Sequence, residues 1–194
     1  MKTISSNIET IYEIKNSKFI TLLYKINDNF NLEKIMNEVK EKYPKATHYC
    51  YAYRLIGKEK SSDDGEPGGT AGIPMLNVLI KEDIVNILAI TVRYFGGIKL
   101  GAGGLVRAYT KSLTTALEET NYIDLIEGYI IEITEDYSNS KQLDYILKNI
   151  NIIDKQFNNN ITYLVEIPKD NIDIISNYNY KIIEEKLIEK TLSN

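Results

Sequence analysis

Arg93-Tyr-Phe-Gly-Gly-Ile-Lys-Leu-Gly-Ala-Gly-Gly-Leu-Val-Arg-Ala-Tyr109 is the stretch on which the reading of this chain turns. In front of it, Asn86 to Phe95 is a nearly continuous apolar run, the pattern of a strand covered on both faces. Behind it, Leu105, Tyr109, Leu113, Ala116 and Leu117 recur at helical spacing, one face of a helix running to about Glu119. Strand, glycine turn and helix start together make the context of an anion site. The first amides of a helix lack internal partners and carry partial positive charge. Lys99 and Arg107 add full charges beside them, and Arg93 ends the strand at the same mouth. Arg107, Lys111 and Thr114 share the helix face opposite the apolar stripe. The candidate ligand-binding set is therefore Arg93, Lys99, Gly101, Gly103, Gly104 and Arg107. No Walker lysine-serine pair is present, and Gly101-Ala-Gly-Gly does not extend to a dinucleotide fingerprint. A structural reading stands beside the functional one, in which the glycines allow close packing and Arg107 is a solvated face.

Upstream lies a second glycine-rich segment, Ser61-Ser-Asp-Asp-Gly-Glu-Pro-Gly-Gly-Thr-Ala-Gly-Ile-Pro74. Gly57 to Gly69 is polar and reads as an exposed, mobile loop, with Pro74 in the first turn of a helix whose apolar face runs from Met75 to Ile80. Asp63, Asp64 and Glu66 form an acidic flap. Three carboxylates suit a hard cation, yet the EF-hand spacing is absent and adjacent loop acids are usually solvated, so no metal site is assigned. The alternative is that these acids face Arg93, Lys99 or Arg107, as an internal ion-pair network or a switchable recognition surface. His48 and Cys50 fall two apart on a strand and so point to one face. A thiolate-imidazole pair is the catalytic reading of that spacing; a buried, inert cysteine is the structural one. Tyr49, Tyr51 and Tyr53 form either a stacking platform for bases or, as favoured here, core beneath a helix.

Outward from these segments the pattern continues. Ile8 to Ile26 reads as two strands about a turn at Asn16-Ser17. Leu32, Ile35, Met36 and Val39 form a helical stripe that Pro44 ends. His48 to Ile56 is a strand. The second half gives a strand (Gly128 to Tyr137), a helix (Ser138 to Lys148), a hairpin about Asn158 (Ile152 to Phe157, Ile161 to Ile167), a short helix (Asp170 to Asn177) and a last strand (Lys181 to Leu192). That order is βαββαβ, the ferredoxin-like pattern. A boundary is expected between Tyr122 and Gly128, giving domains 1–121 and 128–194.

Composition narrows the function. The 194 residues are 43% hydrophobic and 26% charged, as in ordinary globular proteins. With one cysteine no internal disulfide can form, and a cytoplasmic setting is expected. One cysteine and one histidine cannot supply a four-ligand zinc site. No apolar run approaches the roughly 20 residues that cross a bilayer. Net charge is −4, but residues 1–120 carry 16 basic against 14 acidic groups and residues 121–194 carry 7 against 13. A nucleic-acid role would therefore rest on a local patch in the first half.

Ile14-Lys-Asn-Ser-Lys-Phe-Ile20, Ala46-Thr-His-Tyr-Cys-Tyr-Ala-Tyr53, Asp63-Asp-Gly-Glu-Pro-Gly-Gly-Thr-Ala-Gly-Ile-Pro74 and the segment Arg93 to Tyr109 resemble, in order, the signatures of the IMPACT N-terminal domain. The acidic second half resembles the C-terminal domain of YigZ-type members, so the likeness to the IMPACT/YigZ family covers essentially the whole chain. The resemblance implies an α+β protein. Its first part would be a two-layer α/β domain like those of a small-subunit ribosomal protein, elongation factor G domain four and GHMP kinases. Its second would be ferredoxin-like, as in elongation factor G domain five. It also implies a link to translation, since eukaryotic relatives regulate initiation. The expectation is a non-enzymatic binding protein that takes RNA, the ribosome, a translation-related protein or a phosphate-bearing ligand at the basic mouth. No cofactor, DNA or membrane partner is expected. The rival readings are an enzyme acting on a small phosphorylated or carboxylated substrate, with Asp64 or Glu66 as metal ligand or base, and a pure protein-interaction module.

Overall fold

Residues 1–190 are described by the structure, a computed structural model of the chain. The chain forms two compact units, one of Met1–Ile123 and one beginning at Asp124.

The first unit contains β1 (Lys2–Ile4), β2 (Ile8–Ile14), β3 (Ser17–Lys25), α1 (Leu32–Lys42), β4 (His48–Leu55), β5 (Lys58–Ser62), α2 (Gly72–Lys81), β6 (Ile87–Tyr94) and α3 (Ala102–Glu118). The main sheet has the order β2-β3-β6-β4-β5 and is antiparallel throughout. Its first hairpin turns at Lys15 and Asn16, both with positive φ (46° and 60°), which suits a tight two-residue connection. β6 occupies the centre and is buried from Ile87 to Arg93, as its nearly continuous apolar run predicts. Phe19, Leu23, Cys50, Ala52 and Ala89 face Met75 and Leu79 of α2 and Leu105, Tyr109 and Leu113 of α3. On the opposite face, Ile20, Leu22, Tyr53, Leu88, Ile90 and Val92 meet Val39, with Leu32, Ile35 and Met36 of α1 packed against them. The sheet thus carries helices on both sides, three layers where two were expected, because α1 supplies the second cover that a central strand buried on both faces requires. Tyr49, Tyr51 and Tyr53 belong to the α1 side and pack as core.

Local chemistry explains the element ends. Asn31 caps α1 by accepting the Lys34 amide at 2.9 Å. Inside the sheet, the Thr21 hydroxyl meets those of Thr91 (2.9 Å) and Ser112 (2.7 Å), satisfying three buried hydroxyls and fixing where α3 sits. Two differences from the sequence reading bear on the site. Lys58–Ser62, expected within an exposed loop, is an edge strand paired with β4; its Lys-Glu-Lys-Ser-Ser sequence hides the strand, because edges are commonly charged. The true loop is therefore Asp63 to Ala71. Helix α3 begins at Ala102, a turn before its apolar stripe, so Gly103 and Gly104 lie inside it.

The second unit takes β7 (Tyr122–Glu135) from Asp124 onward, followed by α4 (Ser140–Ile146), a 3₁₀ turn (Leu147–Asn149), β8 (Asn151–Phe157), β9 (Ile161–Pro168), a 3₁₀ helix (Lys169–Ile175) and β10 (Tyr180–Glu189). β7 lies between β10 and β9, with β8 outside β9, and these pairings are all antiparallel. Ile131, Ile133, Tyr163, Val165 and Ile167 pack against Leu143, Leu147 and Ile175. β7 runs unbroken through 122–128, so the stretch expected to separate two domains is strand. Thr191 and Leu192, the end of the last expected strand, lie outside the described residues.

Candidate functional site

The two glycine-rich segments of the first unit build different things. In the loop after β5, the three carboxylates diverge to three separate partners. Asp63 turns onto the start of α2, where Oδ1 accepts the amides of Ala71 (3.0 Å) and Gly72 (2.8 Å) and Oδ2 that of Gly69 (2.7 Å). Burial pulls its pKa up, but the three amides outweigh that and hold the carboxyl below its ordinary value. Asp64 Oδ2 accepts the Tyr49 amide at 2.6 Å, tying the loop to β4. Glu66 points inward and is 7% exposed.

Glu66 Oε1 receives the Arg93 guanidinium at 2.6 Å and the Tyr109 hydroxyl at 2.8 Å, joining β6 and α3 to the loop. Arg93 is itself 5% exposed, with its guanidinium carbon 5.5 Å from the ring centres of both Phe19 and Phe95. Its Nε has no hydrogen-bond partner among the described residues. His48, opposite Arg93 in the β4-β6 register, puts Nδ1 2.8 Å from the Asp64 carbonyl and Nε2 3.7 Å from Glu66 Oε2. Cys50 Sγ is 3.0 Å from the Asp63 carbonyl and 3.3 Å from the Tyr109 hydroxyl. Burial pushes the thiol up to about 12, so the buried-cysteine reading describes it and a thiolate nucleophile does not. Burial also raises the Tyr109 phenol far above its ordinary range, which keeps it a hydrogen-bond donor.

Glycine is required at two places here for lack of room. A Cβ on Gly72 would stand 2.7 Å from the Ser62 amide nitrogen, and one on Gly96 would stand 2.0 Å from the Asn16 carbonyl carbon.

The second segment lies open. Phe95 and Ile98 are each 46% exposed, and Lys99, Gly101, Gly103 and Arg107 are exposed while Gly104 is half-buried. Gly101, at φ 73°, precedes α3 without supplying a side-chain cap, and the first turn holds no acid. Among the described residues no carboxylate pairs with Lys99 or Arg107. Arg107 folds back along its own helix, its Nη1 3.5 Å from where a Cβ on Gly103 would be. Of the six residues read as the mouth, Arg93 is thus interior, and the other five belong to the loop and first turns of α3. Of the flap, Glu66 is interior, Asp64 is exposed and Asp63 is half-buried. Tyr109 and His48 complete the interior cluster. Sequence reasoning placed Tyr109 among apolar residues and His48 with Cys50; the available signal was an arginine inside a strand covered on both faces, which demands a buried acid.

Residues 15–117 match the family model described as the Impact N-terminal domain. YvyE, an IMPACT family member of Bacillus subtilis, is 44% identical over 124 residues, 62% of this chain and 55% of its own length. The match therefore spans about half of that relative. An IMPACT family member of Haemophilus influenzae is 34% identical over 172 residues, covering 84% of this chain and 83% of its own. Among solved structures, a hypothetical protein superposes with a TM-score of 0.68 at 28% identity, over 95% of this chain and 98% of that one.

Proposed function

The chain belongs to the IMPACT family, and from that premise we propose that it is a translation-linked regulatory binding protein rather than an enzyme. Its ligand is a phosphate-bearing surface, that of RNA within the ribosome, and its setting is the cytoplasm. The observation that carries this reading is the open start of α3. It has amides without a side-chain cap, no acid in its first turn, and Lys99 and Arg107 exposed beside it. Such an end attracts anions through its dipole and its unpaired N–H groups. Phe95 and Ile98 on the same loop add exposed apolar surface next to the charge, the combination on which single-stranded bases stack. Arg93 takes no part in contact with the ligand on this reading, because Glu66 already holds it.

The rest of the expected architecture goes with the same proposal. The first domain (1–121) is the binding domain, and the second (128–194) is a ferredoxin-like module akin to the fifth domain of elongation factor G. The strand order β10-β7-β9-β8 supports that likeness. No helix among the described residues is long and apolar enough to cross a membrane.

Co-sedimentation with ribosomes from the host, with and without nuclease and across a salt series, tests the proposal. Comigration that weakens with salt and is reduced in Lys99→Ala and Arg107→Ala is the expected result. Comigration untouched by both substitutions removes the α3 site, and none under any condition removes the translation reading.

A further inference from the structure

Phe95 stands where the interior cluster meets the open loop. Glu66 holds the Arg93 guanidinium, whose carbon lies 5.5 Å from the ring centres of Phe19 and Phe95. Phe19 is fully buried, whereas Phe95 is 46% exposed. The Phe95 ring is therefore backed by a fixed cation, and its exposed area lies away from that cation. The main chain beneath it is held as well. Thr47 donates its amide to the Arg93 carbonyl (2.8 Å), and its Oγ1 accepts the Phe95 amide (3.1 Å). Ser17 Oγ accepts the Gly96 amide at 3.1 Å, and Gly96 lies tight against the backbone of Asn16. That confinement ends one residue later: at Gly97, with φ 84°, an added Cβ would meet nothing within 4 Å. Phe95 thus sits on pinned backbone, while Ile98 and Lys99 follow on less confined chain.

We propose that Phe95 is a stacking platform for an unpaired RNA base, so that this edge takes single-stranded rather than duplex RNA. The inference rests on the reading of the edge as an RNA-binding surface and adds which form of RNA it selects. Duplex and single strand both offer phosphates to the exposed Lys99 and Arg107. In a duplex, however, the bases are already paired and stacked, and along its length none turns a face outward. A single strand can lay one base on the ring while the two cations take neighbouring phosphates. Because the ring and its backbone are already positioned, little ordering opposes the contact. Ile98 is as exposed as Phe95, but it offers no π-face and lies beyond the pinned stretch. The interior pair of Glu66 and Arg93 acquires a second role on this account, as the support that fixes the ring from behind.

Fluorescence anisotropy of the intact chain with a labelled single-stranded RNA of about ten nucleotides, and with the duplex of the same length, tests this. Phe95→Leu should weaken single-strand binding roughly ten-fold, the scale of one lost base stack, and leave duplex binding as it was. The slope of log affinity against log salt should not change, since no phosphate contact is lost. Phe95→Tyr, which keeps the ring, should bind as the native chain does. The chain holds no tryptophan, so Phe95→Trp supplies a second readout that does not depend on the leucine variant folding. Its emission should be quenched by the single strand and not by the duplex. Single-strand affinity untouched in Phe95→Leu, with Lys99→Ala still weakening it, overturns the platform and leaves the RNA-binding edge standing. An equal loss for both RNA forms, or a tryptophan blind to the single strand while binding proceeds, also overturns it. Binding of neither RNA by the native chain overturns the platform together with the reading it rests on.

Discussion

In the loop from Asp63 to Ala71 every carboxylate is engaged within the protein, whereas between Gly96 and Arg107 both exposed cations stand in solvent. The two segments share a composition of glycines and charges. Their glycines serve different ends: Gly72 in the first, like Gly96 at the base of the second, brings backbone against backbone, while Gly101 and Gly103 leave a helix end uncovered. The arginines divide likewise. Arg93 is packed between two aromatic rings on a buried acid, and Arg107 lies along an exposed turn. A glycine-rich, charged segment therefore builds either an internal brace or an open binding edge, and the partner of each charge decides which.

The harshest way to break this contrast is to orphan the brace. Glu66→Ala leaves the Arg93 guanidinium buried without its carboxylate and the Tyr109 hydroxyl without its acceptor. Removing one partner of a buried pair costs about 3–5 kcal/mol, so urea unfolding should show a loss of that size. A loss below about 1 kcal/mol means water reaches Arg93, and the two segments are then less different than the geometry says. Next comes Gly96→Ala. Its Cβ would overlap the backbone of Asn16, and relieving that clash should cost about 1–3 kcal/mol in the same assay. At Gly103 the added methyl meets only the flexible end of Arg107, and Gly103→Ala should leave stability equal or higher.

Asp63→Asn should come third, at about 1 kcal/mol, since an amide offers one acceptor oxygen where three N–H groups now share two. Its signature is a pH dependence. Asp63 titrates lower in the folded chain than in the unfolded one, so its stabilisation is complete above the unfolded value near about pH 4 and is lost as pH falls through the folded value. The native chain should lose stability over that range, and Asp63→Asn should lose less.

How far the sequence discloses these roles depends on the range of the interaction. β6, α1 and α3 are legible because periodicity is local, and the order of strands and helices in the second half follows for the same reason, with a 3₁₀ helix at Lys169–Ile175 in place of the expected second α-helix. β5 escapes it, since Lys58-Glu-Lys-Ser-Ser62 has no apolar face. The partner of Glu66 is legible only as one alternative, in which the acids face Arg93, Lys99 or Arg107 as an internal ion-pair network; the structure makes that pair with Arg93 and leaves Lys99 and Arg107 out of it. Arg93 lies 27 residues away, and nothing local distinguishes a carboxylate that will be buried on it from one that will meet water. Tyr109 shows the same limit: its ring fits an apolar stripe, and only the fold brings its hydroxyl to Glu66.

The smallest effect on stability should come from the open edge, and it should have the largest effect on binding. Lys99 and Arg107 are exposed and pair with no carboxylate among the described residues, so Lys99→Ala and Arg107→Ala should each shift unfolding by no more than about 0.5 kcal/mol. If each side chain meets one phosphate, each substitution should also lower the slope of log affinity against log salt by roughly one for an RNA ligand. A change in affinity with an unchanged slope would mean that the residue packs against bases or protein instead, and Phe95 and Ile98 would become the contacts to substitute next. A large loss of stability in Arg107→Ala would be more damaging, because it would place this arginine in the brace with Arg93 and erase the distinction between the two segments.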